Sequence, residues 1–137
     1  LYVLDFYAPS LHTEASIERA RRAYEPYPGT MPARTDMLPY AAGSLDLVMA
    51  FLALHEVRDA NERIRFLKEI HRTLRPDGRL VVTEHLRDAA NFIGFNLGFL
   101  HFHSKATWLK AFAASGFQVE RAVRTTAFIT TFILAPQ

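Results

Sequence analysis

Strands alternating with helices, then a closing pair of strands, predict an α/β protein. The expected fold is a doubly wound, mostly parallel sheet with a C-terminal antiparallel hairpin. Three observations carry this expectation. Leu45 to Leu52 is almost wholly apolar, as suits a parallel strand covered on both faces. A helix of strong period follows, with Ile64, Leu67, Ile70, His71 and Leu74 on one stripe. The end of the chain then reads as two β runs, an alternating Phe117 to Arg124 and an apolar Ala127 to Leu134.

The remaining elements fall between these. Leu1 to Phe6 is short, apolar and β-compatible, and Pro9 breaks it. Thr13 can cap a helix with Glu14 in its first turn, running through Ile17 and Ala20 to about Tyr24. Glu25-Pro26-Tyr27-Pro28-Gly29 stops that helix. Met31 to Thr35 is a short strand weakened by Pro32, and Asp36 to Pro39 is a loop. Gly43-Ser44 is a turn. Asp59-Ala60-Asn61 starts the amphipathic helix, and Arg75-Pro76-Asp77-Gly78 ends it and turns the chain into a strand over Arg79 to Glu84. Asp88 to His103 is irregular and aromatic-rich, with Phe92, Phe95, Phe99 and Phe102 at helical spacing. Ser104 caps a helix through Trp108, Leu109 and Phe112 that Gly116 closes.

Composition narrows the function classes. The chain has 137 residues, half of them apolar, which suits a single domain with a real core. Its 16 basic and 14 acidic residues are scattered, and a net charge of +2 gives no reason to expect a nucleic-acid partner. With no cysteine, disulfides and thiolate chemistry are excluded, and a cytoplasmic location is the default expectation. No stretch approaches the roughly 20 apolar residues of a membrane span.

The order of these pieces, with their motifs, resembles the class I S-adenosylmethionine-dependent methyltransferases, specifically a type 11-like domain. Leu38-Pro39-Tyr40 followed by Gly43-Ser44-Leu45-Asp46-Leu47-Val48 is similar to that family's "LPF…GSFDLV" segment. Leu54-His55 sits where the family often carries a leucine–histidine pair. Glu69-Ile70-His71-Arg72-Thr73-Leu74-Arg75-Pro76-Asp77-Gly78 looks like the "EIxRxLxPGG" helix end. The resemblance covers nearly the whole chain. It implies a Rossmann-like fold, S-adenosylmethionine as cofactor, and methyl transfer to a small acceptor.

The resemblance also implies a cofactor site. In an open parallel sheet, ligands bind beyond the carboxyl ends of the strands. Asp5 matches the family's acidic residue that accepts both ribose hydroxyls, as a carboxylate can. Phe6 could lie against the adenine or be plain core. Asp36 matches the residue that accepts from the adenine amino group, with the Met37 amide beside a ring nitrogen. Ala50 and Phe51 fall beside the sulfonium and methionine moiety. His55 and His85 both lie just past strand ends, and either is a candidate general base or a hydrogen-bonded structural histidine. Methyl transfer can also proceed by positioning alone. The aromatic run 91–103 is a helix packed on the sheet or a lid or wall of an apolar acceptor pocket; for a third reading, an interfacial membrane patch, it is short and lacks flanking lysines or arginines on a polar face. His101 and His103 alternate, but two histidines without a nearby carboxylate support no metal site in the sequence.

One family feature is not in the 137 residues. The six glycines form no G-x-G-x-G motif. The resemblance places that loop, with the strand before it, upstream of Leu1, so domain 1–137 is expected to be N-terminally incomplete. Rearrangement, or pairing as a homodimer, is the other way to close the resulting gap in the sheet. The competing function is a catalytically inactive methyltransferase-like interaction module. A short-chain oxidoreductase is disfavoured, because no tyrosine has lysine four residues on.

Overall fold

The computed structural model describes residues 1–8, 10 and 15–137. The expected break at Pro9 and cap at Thr13 lie outside them. β1 (Leu4–Asp5) and β2 (Met31–Pro32) form a two-stranded parallel sheet, with the helix α1 (Ala15–Ala23) between them in sequence. The ladder tolerates Pro32 because the donors on either side of it, Met31 and Ala33, reach the carbonyls of Val3 and Asp5 at 3.0 and 2.8 Å. Both strands are shorter than the sequence suggested.

The main sheet has four strands in the order β3-β4-β6-β5. These are β3 (Leu45–Phe51), β4 (Leu74–His85), β5 (Phe117–Arg124) and β6 (Ile129–Pro136). β3 and β4 run parallel, while β6 pairs antiparallel with both β4 and β5. The terminal hairpin therefore forms as expected, and its second strand inserts beside β4. β1 and β3 belong to different sheets. β3 is an edge of its sheet.

That edge corrects one expectation. β3 is not covered on both faces: Leu47, Met49 and Phe51 are 50%, 48% and 58% exposed. Val48 and Ala50 alternate with them and pack on the core. The helices α2 (Ala60–Thr73) and α4 (Lys105–Ala114) contribute Phe66, Leu67, Ile70, Trp108 and Phe112 to that core. Strand residues Leu80, Val82, Phe132 and Leu134 complete it at zero exposure.

Caps explain the helix starts. The Asp59 side chain accepts from the Glu62 amide at the start of α2, and the Ser104 hydroxyl accepts from Thr107 at the start of α4. The turn expected at Arg75 to Gly78 lies instead inside β4 as an irregularity. Leu45 faces Leu74, whereas Leu47 faces Arg79. A Cβ on Gly78 would sit 3.0–3.1 Å from the carbonyl oxygens of Arg75, Asp46 and Leu45. Glycine accommodates this close approach, whereas a Cβ would require the three carbonyls to give by a few tenths of an ångström.

The aromatic segment is ordered rather than irregular. α3 (Ala89–Phe95) is capped by Asp88, and a 3₁₀ segment (Asn96–His101) follows. The helical spacing of the four phenylalanines is interrupted at Asn96, whose φ is 51°. Phe102 is buried, while Phe92, Ile93, Phe95, Leu97 and Leu100 remain exposed.

Candidate functional site

The carboxyl ends of β1, β2 and β3 point toward one cavity. Residues just past β1 (Phe6, Ala8), past β2 (Ala33 to Asp36) and past β3 (Glu56 to Asp59) line it, with Glu62 and Arg65 from α2. Its volume is about 510 Å³, within the range of roughly 300–1,000 Å³ that small-molecule sites occupy. Parallel pairing explains part of this convergence, since β1 and β2 deliver their following loops to the same end of their sheet.

Two of the six expected cofactor residues line the cavity. Phe6 is half-buried and meets Phe66 edge-on, with ring centroids 5.4 Å apart. Asp36 is held by Arg34, whose Nε and Nη2 donate to its two oxygens at 2.8 Å each. That guanidinium keeps the Asp36 carboxyl below its usual range. Asp5 lies at the end of β1 beside the cavity. Its Oδ1 accepts from the Tyr7 amide at 3.0 Å and from Arg21 at 2.8 Å, and Arg21 also reaches its Oδ2. The Met37 amide lies 3.4 Å from the Arg34 carbonyl. Ala50 and Phe51 lie on the edge strand and do not line the cavity.

The structure separates the two histidines. His55 is 7% exposed in the 3₁₀ turn Leu54–Glu56 that follows β3. Its Nδ1 lies 2.6 Å from Glu84 Oε2, and its Nε2 lies 3.1 Å from Glu56 Oε1. Burial is the largest single influence and favours neutral imidazole. The hydrogen bonds and charges of Glu56 and Glu84 outweigh it, raising the pKa to about 9. His55 is therefore an imidazolium at neutral pH, with both ring protons donated to carboxylates. Glu56 is correspondingly held down to about 2, chiefly by its hydrogen bond with His55.

Glu84 is fully buried on the core face of β4. Its Oε1 also accepts from the Leu54 and His55 amides, at 2.9 and 3.3 Å. This carboxylate thus fixes the turn after β3, where Leu52 takes a φ of 51°.

His85 ends β4 and stacks on Phe102, with centroids 4.8 Å apart, and meets Phe95 edge-on at 4.9 Å. Its Nδ1 faces two acceptors, the Phe128 carbonyl at 3.0 Å and Asn91 Oδ1 at 3.1 Å. The Asn91 orientation follows from its Nδ2, which donates to Asp88 and to the same carbonyl. Two acceptors put the proton on Nδ1 and leave Nε2 as the basic nitrogen.

Sequence reasoning missed Glu56 and Glu84 as partners, although each adjoins a flagged histidine in the chain. It also missed that His101 approaches Glu56, at 3.4 Å, while His103 does not join them. His103 accepts from Arg63 at 3.0 Å, and burial followed by the charges of Arg63 and Arg58 lowers its pKa to about 4. Nothing in the linear spacing distinguishes these two histidines.

Comparison with known proteins bears on the fold and the family. The chain superposes on a SAM dependent methyltransferase from Aquifex aeolicus with a TM-score of 0.72 at 13% identity, covering 99% of this chain and 68% of that one. A candidate type 11 methyltransferase from Sulfolobus solfataricus gives 0.67 at 14% identity, covering 100% and 70%. The mitomycin 7-O-methyltransferase MmcR gives 0.67 at 19% identity, covering 98% and 41%. No curated protein matches significantly. The model of the family described as "Methyltransferase domain" matches residues 5–82, more than half of the chain, so this chain belongs to that methyltransferase family.

Proposed function

We propose that the domain transfers a methyl group from S-adenosylmethionine to a small acceptor, with the adenosine end in the cavity between β1, β2 and β3. The observation that carries this reading is the cavity itself: its size suits a nucleoside, and Phe6 and Asp36 both line it. Phe6 offers a ring face for a base, and Asp36 offers carboxylate oxygens to an exocyclic amine. Asp5 is the ribose partner, and its carboxylate is presented at the cavity edge by Arg21 and the Tyr7 amide. Met37 directly follows Asp36 and can present its backbone to a base, whereas Ala50 and Phe51, on the edge strand outside the cavity, take no part in this adenosine site.

Bound S-adenosylmethionine supplies an electrophilic methyl carbon on a sulfonium. The residues of this chain position the acceptor and take its proton. His85 is the base of this reading, because Nε2 carries the lone pair. Phe95 and Phe102 beside it favour an apolar acceptor. His55 is charged between two carboxylates, so it orients the turn after β3 rather than accepting a proton.

Calorimetric titration with S-adenosylhomocysteine tests the cofactor assignment. Binding should weaken at least tenfold in Asp36→Ala and in Phe6→Ala, and His85→Ala should leave it unchanged while slowing turnover. Binding that is absent, or indifferent to both cavity substitutions, would favour the inactive interaction module.

A further inference from the structure

A cluster beside the cavity has the chemistry of a cation site. His55, Glu56 and His101 converge so that one ligand atom from each lies within 4.8 Å of the other two. The carboxylate oxygen is 3.1 Å from one imidazole nitrogen and 3.4 Å from the other. Ligands at about 2.1 Å from a tetrahedral zinc ion stand about 3.4 Å apart, so these separations need little adjustment.

The surroundings are those of a built site. The other nitrogen of His55 is held by Glu84, which is fully buried. A carboxylate behind a ligating imidazole fixes its tautomer and strengthens it as a donor. His101 is pinned through its backbone, since Arg58 Nη1 donates to its carbonyl at 2.6 Å. Two residues on, the carbonyl of His103 accepts from the Arg87 amide at 2.9 Å. Glu56 Oε2 is buried and has no hydrogen-bond partner among the described residues. The ring of His55 also meets that of His101 edge-on, with centroids 5.3 Å apart.

We propose that His55, Glu56 and His101 bind a divalent cation of the zinc class through two imidazole nitrogens and one carboxylate oxygen, with Glu84 as the supporting carboxylate. Two nitrogens and one oxygen suit zinc, cobalt or manganese better than magnesium, which prefers an all-oxygen shell. Three protein ligands leave a coordination position open, and Glu56 also lines the cavity. The site therefore borders the space assigned above to small molecules. A cation there would take the place of the proton shared by His55 and Glu56. This inference does not rest on the methyl-transfer reading.

The test uses the full chain stripped of metal by a chelator. Zn²⁺ is titrated by calorimetry, and Co²⁺ is followed by its visible absorption. One Zn²⁺ per chain, with micromolar or tighter affinity, is expected. His101→Ala and Glu56→Gln should each weaken it at least fiftyfold and abolish the Co²⁺ bands, with the fold checked by circular dichroism. His101 is partly exposed, so its variant should fold even if the Glu56 variant does not. Absence of Zn²⁺ binding, preference for Mg²⁺, or unchanged affinity in folded His101→Ala would overturn the proposal.

Discussion

Glu69 and Arg72 show what single residues of the family-like motif do. The Leu38 amide donates to Glu69 Oε1 at 2.8 Å. Arg72 donates to the Tyr40 carbonyl at 2.9 Å and to Glu69 through both Nε and Nη2. The helix-end segment thereby clamps the Leu38-Pro39-Tyr40 loop, which is a physical reason for the two motifs to occur together. Arg72, followed by the Leu38 amide, holds the Glu69 carboxyl below its ordinary value of 4.5. A group with a depressed folded pKa contributes stability that is present above its unfolded value and is lost as pH falls through the folded value. Glu69→Gln should therefore lower stability by about 1 kcal/mol at pH 7. The gap in Tm between wild type and variant should narrow below pH 4.5. A gap that does not narrow at all as the pH falls below 4.5 would show that the carboxylate charge is not responsible. The role of Glu69 was legible only as a motif letter, because its partners lie 31 residues away or on its own helix. The buried Glu84 was likewise hidden, since a carboxylate at a strand end ordinarily faces water.

At the scale of elements, local chemistry was the readable part. Asp59, Ser104 and Gly116 mark helix ends where the sequence placed them, because caps act over three or four residues. Gly116 has a φ of +81°, and a Cβ there would lie 3.2 Å from His71 Nε2. Gly116→Ala should cost about 1–2 kcal/mol from the left-handed backbone alone. Chemical denaturation should show a lower midpoint with an unchanged slope, and an unchanged midpoint would mean the turn relaxes. Two elements were misread for non-local reasons. The β4 irregularity at Arg75 to Gly78 depends on packing against β3 carbonyls, which no turn propensity encodes. The aromatic helix breaks at Asn96, and the residues beyond it follow the docking of His103 against Leu86 and Arg87 rather than helical period.

For the whole molecule, the α/β class and the terminal antiparallel pair were legible, because strand and helix periods alternate along the chain. The exposure of β3 was not, since an apolar strand reads the same whether one face or both are covered. Among the described residues its outer edge is unpaired, and with the exposed row Leu47, Met49, Phe51 this presents the conditions for strand-to-strand association of the 137-residue chain. Concentration-dependent light scattering should fall in Met49→Lys, with the circular dichroism spectrum retained. Equal scattering would place association elsewhere, the exposed Ile93 and Leu97 face being the next candidate. The core itself offers a convenient optical handle. Trp108 is the single tryptophan, is fully buried, stacks on Phe112 and meets the His103 ring at 5.5 Å. Its emission should be blue-shifted in the native state and move to the red only when α4 leaves the sheet. Fluorescence at one wavelength pair then follows the integrity of the same core in every variant named above, without any label.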